Sequence, residues 1–380
     1  MTHLSRLQSR ITPLLSRTDA TKRLNAIISS LALVISIIFC ARASADNATY
    51  TVFDAASGVY TIPIAMSATG TITGQFYKPG ASRTGVHGFL RIRGGTTITI
   101  DVPGSSQTYP DAINAAGVIS GYYFDSDGNI HGFIRRTDGS FKTFDFPGGC
   151  CTTPVSMNGS GETTGYYGDV NHFFHGFVRR TVGRFISFDA PGAGQQQFGE
   201  FTAPAQIEDN GTVLGSYVDA NNAAHLFLRS SDGFWTLFDP PPGAPGSFLF
   251  FDNYIPNGLS INPAGVIIGT YTDPSSGNLR GFIRYRDGTV TTFDGADYPP
   301  CCSWTFPYGI TPGGVIVGTI NDGNFVNRGF VRDADGTSTV FDAPNAGGTI
   351  ATAITPDGKT IMGVDMDRDG GVHGFIRLTQ

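Results

Sequence analysis

Asp365-Met366-Asp367-Arg368-Asp369-Gly370 comes nearest, in residue types and spacing, to a metal-binding loop. Carboxylates at alternate positions before a glycine can supply the first oxygen ligands of a calcium site. Position twelve from Asp365 is Ile376, so the bidentate glutamate of an EF-hand is missing. Asp365, Asp367 and Asp369 are therefore candidate calcium ligands, with ordinary turn chemistry as the competing account. Asp125-Ser126-Asp127-Gly128-Asn129 is an echo of the same pattern. No other cofactor is indicated.

Charged residues recur at regular intervals instead of gathering once. An arginine follows the motif His-Gly-Phe-x at Arg91, Arg135, Arg179, Arg229, Arg284, Arg332 and Arg377. An aspartate closes a second motif at Asp54, Asp101, Asp145, Asp189, Asp239, Asp294 and Asp342. Catalysis needs one constellation, so a residue present in every repeat reads as structural. Arginine–carboxylate bonding within or between repeats is the expected role. There is no Gly-x-Ser-x-Gly elbow, no His-Glu-x-x-His and no phosphate-binding loop. With three glutamates in the chain (Glu162, Glu200, Glu208), the balance is against an enzyme. Carboxylates drawn from separate repeats could still assemble a glycosidase or lyase, which is the alternative reading.

These residues are positioned by a hairpin, seen plainly at residues 131–145. Two alternating runs flank Asp138-Gly139, a dipeptide suited to a tight turn. A two-residue turn there sets Phe133 opposite Phe144, Arg135 opposite Lys142 and Gly132 opposite Asp145. A second hairpin carries Gly-x-x-x-Gly, as at Gly117/Gly121 and Gly161/Gly165. Its first glycine suits a left-handed turn position, and its second lies inside a strand, where a neighbour must come close. Each unit thus has four strands, a to d. The tripeptides begin at 87, 131, 175, 225, 280, 328 and 373, a period of 44–55 residues.

Four short strands repeating in the forties indicate an all-β, seven-bladed β-propeller. The chain starts with a lone d strand, Tyr50–Asp54, and ends with a lone c strand near His373. The N-terminal strand should therefore complete the last blade, setting Asp54 near Gly374. The tripeptides resemble a bacterial extracellular repeat family named for its His-Ala-Phe motif. Here Gly takes the middle position in six copies and Leu226 in one, while Arg280 and Arg328 replace the histidine. The resemblance covers the chain after residue 45. It implies export and repetition, and brings no catalytic residues.

Residues 1–45 combine a basic stretch, an apolar run and Ala43-Ser44-Ala45, the form of a cleaved signal peptide. The expected domains are that segment and a propeller over 46–380. Without the leader, nineteen basic residues face thirty acidic ones, which disfavours nucleic-acid binding. The apolar run is short for a bilayer crossing, so no stable membrane insertion is expected after cleavage. Export permits disulfides. Cys150-Cys151 and Cys301-Cys302 enter blades nearly opposite each other, so vicinal bridges within each pair are expected, with free thiols as the alternative.

The repeat is broken where d-to-a connections lengthen, at 190–203, 240–257 and 295–307. Phe250, Tyr254, Trp304, Phe306 and Gln196 lie there and combine flat apolar surface with hydrogen-bonding groups. They are the candidate site for an extracellular glycan or peptide. The expected function is an exported binding or scaffold module; a secreted carbohydrate-active hydrolase or lyase is the alternative.

Overall fold

The computed structural model describes residues 48–80, 85–194, 202–221, 223–241, 258–296, 303–324 and 326–379. Its twenty-eight strands form seven four-stranded antiparallel sheets, a seven-bladed β-propeller. Six blades use consecutive strands. The seventh adds the N-terminal strand Thr49–Phe53 to Val372–Leu378, Thr360–Asp367 and Ala346–Ile354. Closure is as expected, but its register differs by one residue: Phe53, not Asp54, faces Gly374.

The same shift runs through the other c–d hairpins. In blade 2 Gly132 faces Phe144, Phe133 faces Thr143 and Arg135 faces Phe141. The reason lies in the turn. Gly139 N donates to Arg136 O, Arg136 N donates to Ser140 O, and Gly139 has φ +87°. This is a three-residue loop, a type I turn followed by a left-handed glycine, instead of the two-residue turn. The extra residue moves the aspartate beyond the ladder and brings the d-strand phenylalanine over the tripeptide glycine. A Cβ on Gly132 would come within 3.0 Å of the Phe144 ring, and the same holds for Gly176 and Phe188.

The tripeptide phenylalanines are the core. Phe89, Phe133, Phe177, Phe227, Phe282, Phe330 and Phe375 are at most 1% exposed. Apolar clusters join adjacent blades; Ile100 of blade 1, for example, packs with Ile119 and Phe133 of blade 2. The repeated arginines do not pair with the d-strand aspartates. Six of the seven guanidiniums instead lie over the d-strand ring of the preceding blade: Arg91 over Phe53, Arg179 over Phe144, Arg229 over Phe188, Arg284 over Phe238, Arg332 over Phe293 and Arg377 over Phe341, at 4.4–5.0 Å. Arg135 follows blade 1, where Ile100 stands in place of the ring, and lies 6.0 Å from Phe141 of its own blade. Cation–π contacts contribute about 0.5–2 kcal/mol each, so six make a substantial seam.

Among the described residues a buried threonine on strand a fixes the start of six d-to-a connections; the one into blade 5 begins at Pro240, which has no amide hydrogen. Thr61, Thr108, Thr152, Thr202, Thr305 and Thr349 accept from the amides of Ala55, Val102, Phe146, Ala190, Gly295 and Ala343. The separation is six residues in blades 1, 2, 3 and 7, but twelve and ten where the connection is long.

Candidate functional site

The first tripeptide residue is clamped between two carboxylates. His131 Nδ1 lies 2.8 Å from Asp145 and its Nε2 3.2 Å from Asp125, in the b–c turn. His373 repeats the arrangement with Asp54 and Asp367 at 2.7 and 3.2 Å, and His225 with Asp239 and Asp219 at 2.6 and 3.5 Å. Arg280 bridges Asp294 and Asp273, and Arg328 bridges Asp342 and Asp322, so a permanent cation takes over the role. Recurrence around the ring makes this a structural clamp.

Burial is the largest influence on His131, His225 and His373 and pulls their pKa down. The bonds and charges of the two carboxylates outweigh it and raise each above its ordinary value. Asp125, Asp219 and Asp367 are depressed, mainly by hydrogen bonds from their own turns. A raised histidine contributes stability that is full below its unfolded value near 6.5 and is lost as pH rises through the folded value. A depressed aspartate contributes above about 4, and that is lost as pH falls. The thermal midpoint should therefore peak between about pH 4 and about pH 6.5 and decline toward pH 8. Scanning calorimetry of the parent and a His131→Gln/His225→Gln/His373→Gln variant checks this. A parent midpoint that stays level between pH 6 and 8, or a variant that declines just as steeply, contradicts it.

The calcium candidates do not converge. Asp365 is buried within a strand, Asp369 is exposed, and Asp367 accepts from the amides of Asp369 and Gly371 as a turn residue. Among the described residues no three His, Cys, Asp or Glu side chains group as metal ligands. Cys150 and Cys151 are free thiols, not the vicinal bridge expected from export. Burial, then contact with Cys150, pushes the Cys151 thiol up to about 11. Cys301 and Cys302 lie outside the described residues, as do Gln196, Phe250 and Tyr254.

Trp304 and Phe306 are described, and they occupy a strand instead of the loop. Strand a of blade 6, Ser303–Ile310, runs long and pairs Trp304 with Asn321. Alternation along a strand puts residues 304 and 306 on one face, and the bulged residue Tyr308 brings its ring to Phe306. The Trp304 and Phe306 rings meet edge to face at 6.4 Å, and Phe306 stacks with Tyr308 at 6.5 Å and 11°. Trp304 is 39% exposed, whereas Tyr308 lines the central channel. The three rings form a ladder from the surface to the channel.

That channel is a cavity of about 400 Å³ lined by residues of all seven blades. In five blades strand a carries a proline opposite the second glycine of strand b, with a register break just after it: Pro63/Gly74, Pro110/Gly121, Pro154/Gly165, Pro204/Gly215 and Pro307/Gly318. Proline is tolerated because strand a is an edge strand. The bulged residues Ile64, Asp111, Val155, Ala205 and Tyr308 all line the cavity. Four are uncharged; Asp111 is the exception. It is partly exposed as a residue, but its Oδ2 is sealed and has no hydrogen-bond partner among the described residues. Burial raises its pKa well above the carboxylate range. Tyr166, on the same cavity and bonded to Thr153, is pushed up to about 12 by burial and then by the charge of Asp111. Glu208, beside the Gln206 amide at 2.6 Å, is pushed up to about 7 by burial. Asp111 was missed in the sequence; the signal was the proline preceding it, which recurs in register with the second glycine.

No protein-family model and no curated protein matches the sequence. Among solved structures the chain is similar to the polysaccharide lyase Uly1, with 11% identity and a TM-score of 0.53 over 87% of this chain and 99% of that one. It is also similar to puromycin hydrolase, with 13% identity and a TM-score of 0.53 over 82% of this chain and 51% of the other. A lectin from Burkholderia pseudomallei, BP39L, aligns at 12% identity with a TM-score of 0.47, over 85% of this chain and 96% of that one. At these identities the likeness is one of fold, and by fold the chain is a seven-bladed propeller.

Proposed function

We propose that the chain is an exported binding module that recognises a glycan on the aromatic ladder Trp304–Phe306–Tyr308. The observation that carries this reading is the ladder itself. It presents one exposed indole continuous with rings that descend to the channel. Flat apolar faces edged by polar groups suit the C–H faces and hydroxyls of a sugar ring. The leader-like residues 1–45 support export, and the His-Ala-Phe resemblance points the same way. The fold also occurs in a polysaccharide lyase, so a propeller of this kind is compatible with glycan handling.

The test is a glycan array with the purified protein, followed by titration of the best glycan against the parent and Trp304→Ala. An exposed aromatic at the centre of a site is worth about 2 kcal/mol, so the variant should bind about thirtyfold more weakly. Its thermal midpoint should be unchanged, because the indole is partly solvated. Parent-like binding by Trp304→Ala overturns the site. Shortening of the polymer, in place of retention, overturns the binding reading in favour of a lyase or hydrolase.

A further inference from the structure

Asp111 is an expensive residue to place in the channel. A carboxylate oxygen sealed from water without a partner is penalised, and a bulge position that takes Ile, Val, Ala or Tyr in other blades does not require one. Among the described residues no Lys, Arg or His lines the wall, and the Oδ2 atom has no donor. Single-carboxylate geometry is also too poor for a metal, which needs several oxygen ligands. The wall supplies aromatic rings together with neutral polar groups such as Thr153, Ser156 and Gln206. Tyr122, Tyr166 and Tyr308 line the same space, and Tyr122 is held by stacking on Tyr109 at 4.7 Å and 7°. A lone carboxylate beside aromatic rings is the chemistry that receives an ammonium group, through charge and through the ring faces. About 400 Å³ is room for a small ligand or one projecting group.

We propose that the channel cavity binds a primary amine or other ammonium group, with Asp111 as its counter-ion and the rings of Tyr122, Tyr166 and Tyr308 around it. The site is separate from the exposed end of the aromatic ladder and does not depend on the glycan reading. The amine could arrive on an amino sugar or on a lysine side chain, which share this chemistry. Binding transfers no group; it brings a cation to a carboxylate that is protonated more readily than usual, so a proton leaves as the amine enters.

The experiment is calorimetric titration of the full chain with methylammonium, glucosamine, N-acetylglucosamine and lysine amide. Methylammonium tests the shared chemistry, while glucosamine and lysine amide separate the two sources. Glucosamine or lysine amide should bind, N-acetylglucosamine should bind at least about tenfold more weakly than glucosamine, and buffers of different ionisation enthalpy should reveal proton release. Asp111→Asn, nearly identical in shape, should remain folded and lose amine binding by at least about tenfold. Trp304→Ala should bind methylammonium and lysine amide, which carry no sugar ring, as the parent does; this separates failure of this site from failure of the glycan site. The proposal is overturned if no amine binds at millimolar concentration. It is equally overturned if acetylation makes no difference to the parent, a comparison that stands even should Asp111→Asn misfold.

Discussion

Deletion of residues 48–55 is expected to lower stability by roughly 4–6 kcal/mol, much of what a domain has. The strand Thr49–Phe53 is short and its residues are half-buried or exposed, yet it holds several dissimilar contacts. Phe53 covers Gly374, meets Phe89 edge to face at 6.2 Å and carries Arg91 at 4.5 Å. Tyr50 packs on Phe341 and accepts from Arg377 Nε at 3.2 Å. Asp54 clamps His373. Two aromatics at about 1.5 kcal/mol each, a cation–π contact near 1 kcal/mol and the lost ladder bonds account for the figure. The deletion also leaves Val372–Leu378 as an open edge, ready to pair with another chain. Scanning calorimetry and light scattering should show a much lower midpoint together with association. A truncated chain that melts like the parent and stays monomeric would contradict ring closure.

Gly121→Ala should be nearly as severe, and through a single methyl group. A Cβ at this position would lie closer than 3.0 Å to the Tyr109 carbonyl oxygen and to Pro110 Cα, both backbone atoms of the paired strand. Neither can move aside as a flexible side chain can. The strands must separate next to the bulge that places Asp111, at a cost of about 3–5 kcal/mol. Gly117→Ala in the turn is the comparison, since its φ of +83° incurs strain while the surrounding space is nearly open. It should cost about 1–2 kcal/mol. Urea unfolding of the two variants decides the point, and equal losses would mean that close strand approach is not what selects the second glycine.

Blade number and ring closure were legible because each unit repeats its own punctuation: Asp-Gly turns, tripeptides and paired glycines. Register was not, because Asp138-Gly139 serves equally in a two-residue turn and as the end of a three-residue one. That single residue reversed the partners of the charged groups. With Asp145 beyond the ladder, it meets His131, and the arginine faces the neighbouring blade, a contact that no pattern within one repeat displays. Trp304 and Phe306 were legible as aromatics out of step with the repeat, but not as strand residues, since the strand extends only because Thr319–Asp322 offers it a partner. Asp111 stayed hidden for a different reason: a bulge inserts one residue without changing the spacing of the glycines on the paired strand.

The threonine that anchors six of the d-to-a connections has a consequence for how such a molecule can diversify. The anchored amide and the threonine hydroxyl meet whether six or twelve residues separate them. Doubling a flexible connection costs only about 0.6 kcal/mol in closure entropy, so added length is nearly neutral once both ends are pinned. Each blade pinned in this way works as a socket with an interchangeable insert. Sequence can be grafted between the pins of one blade, while its neighbours, and the seam of arginines and rings that joins them, register no change.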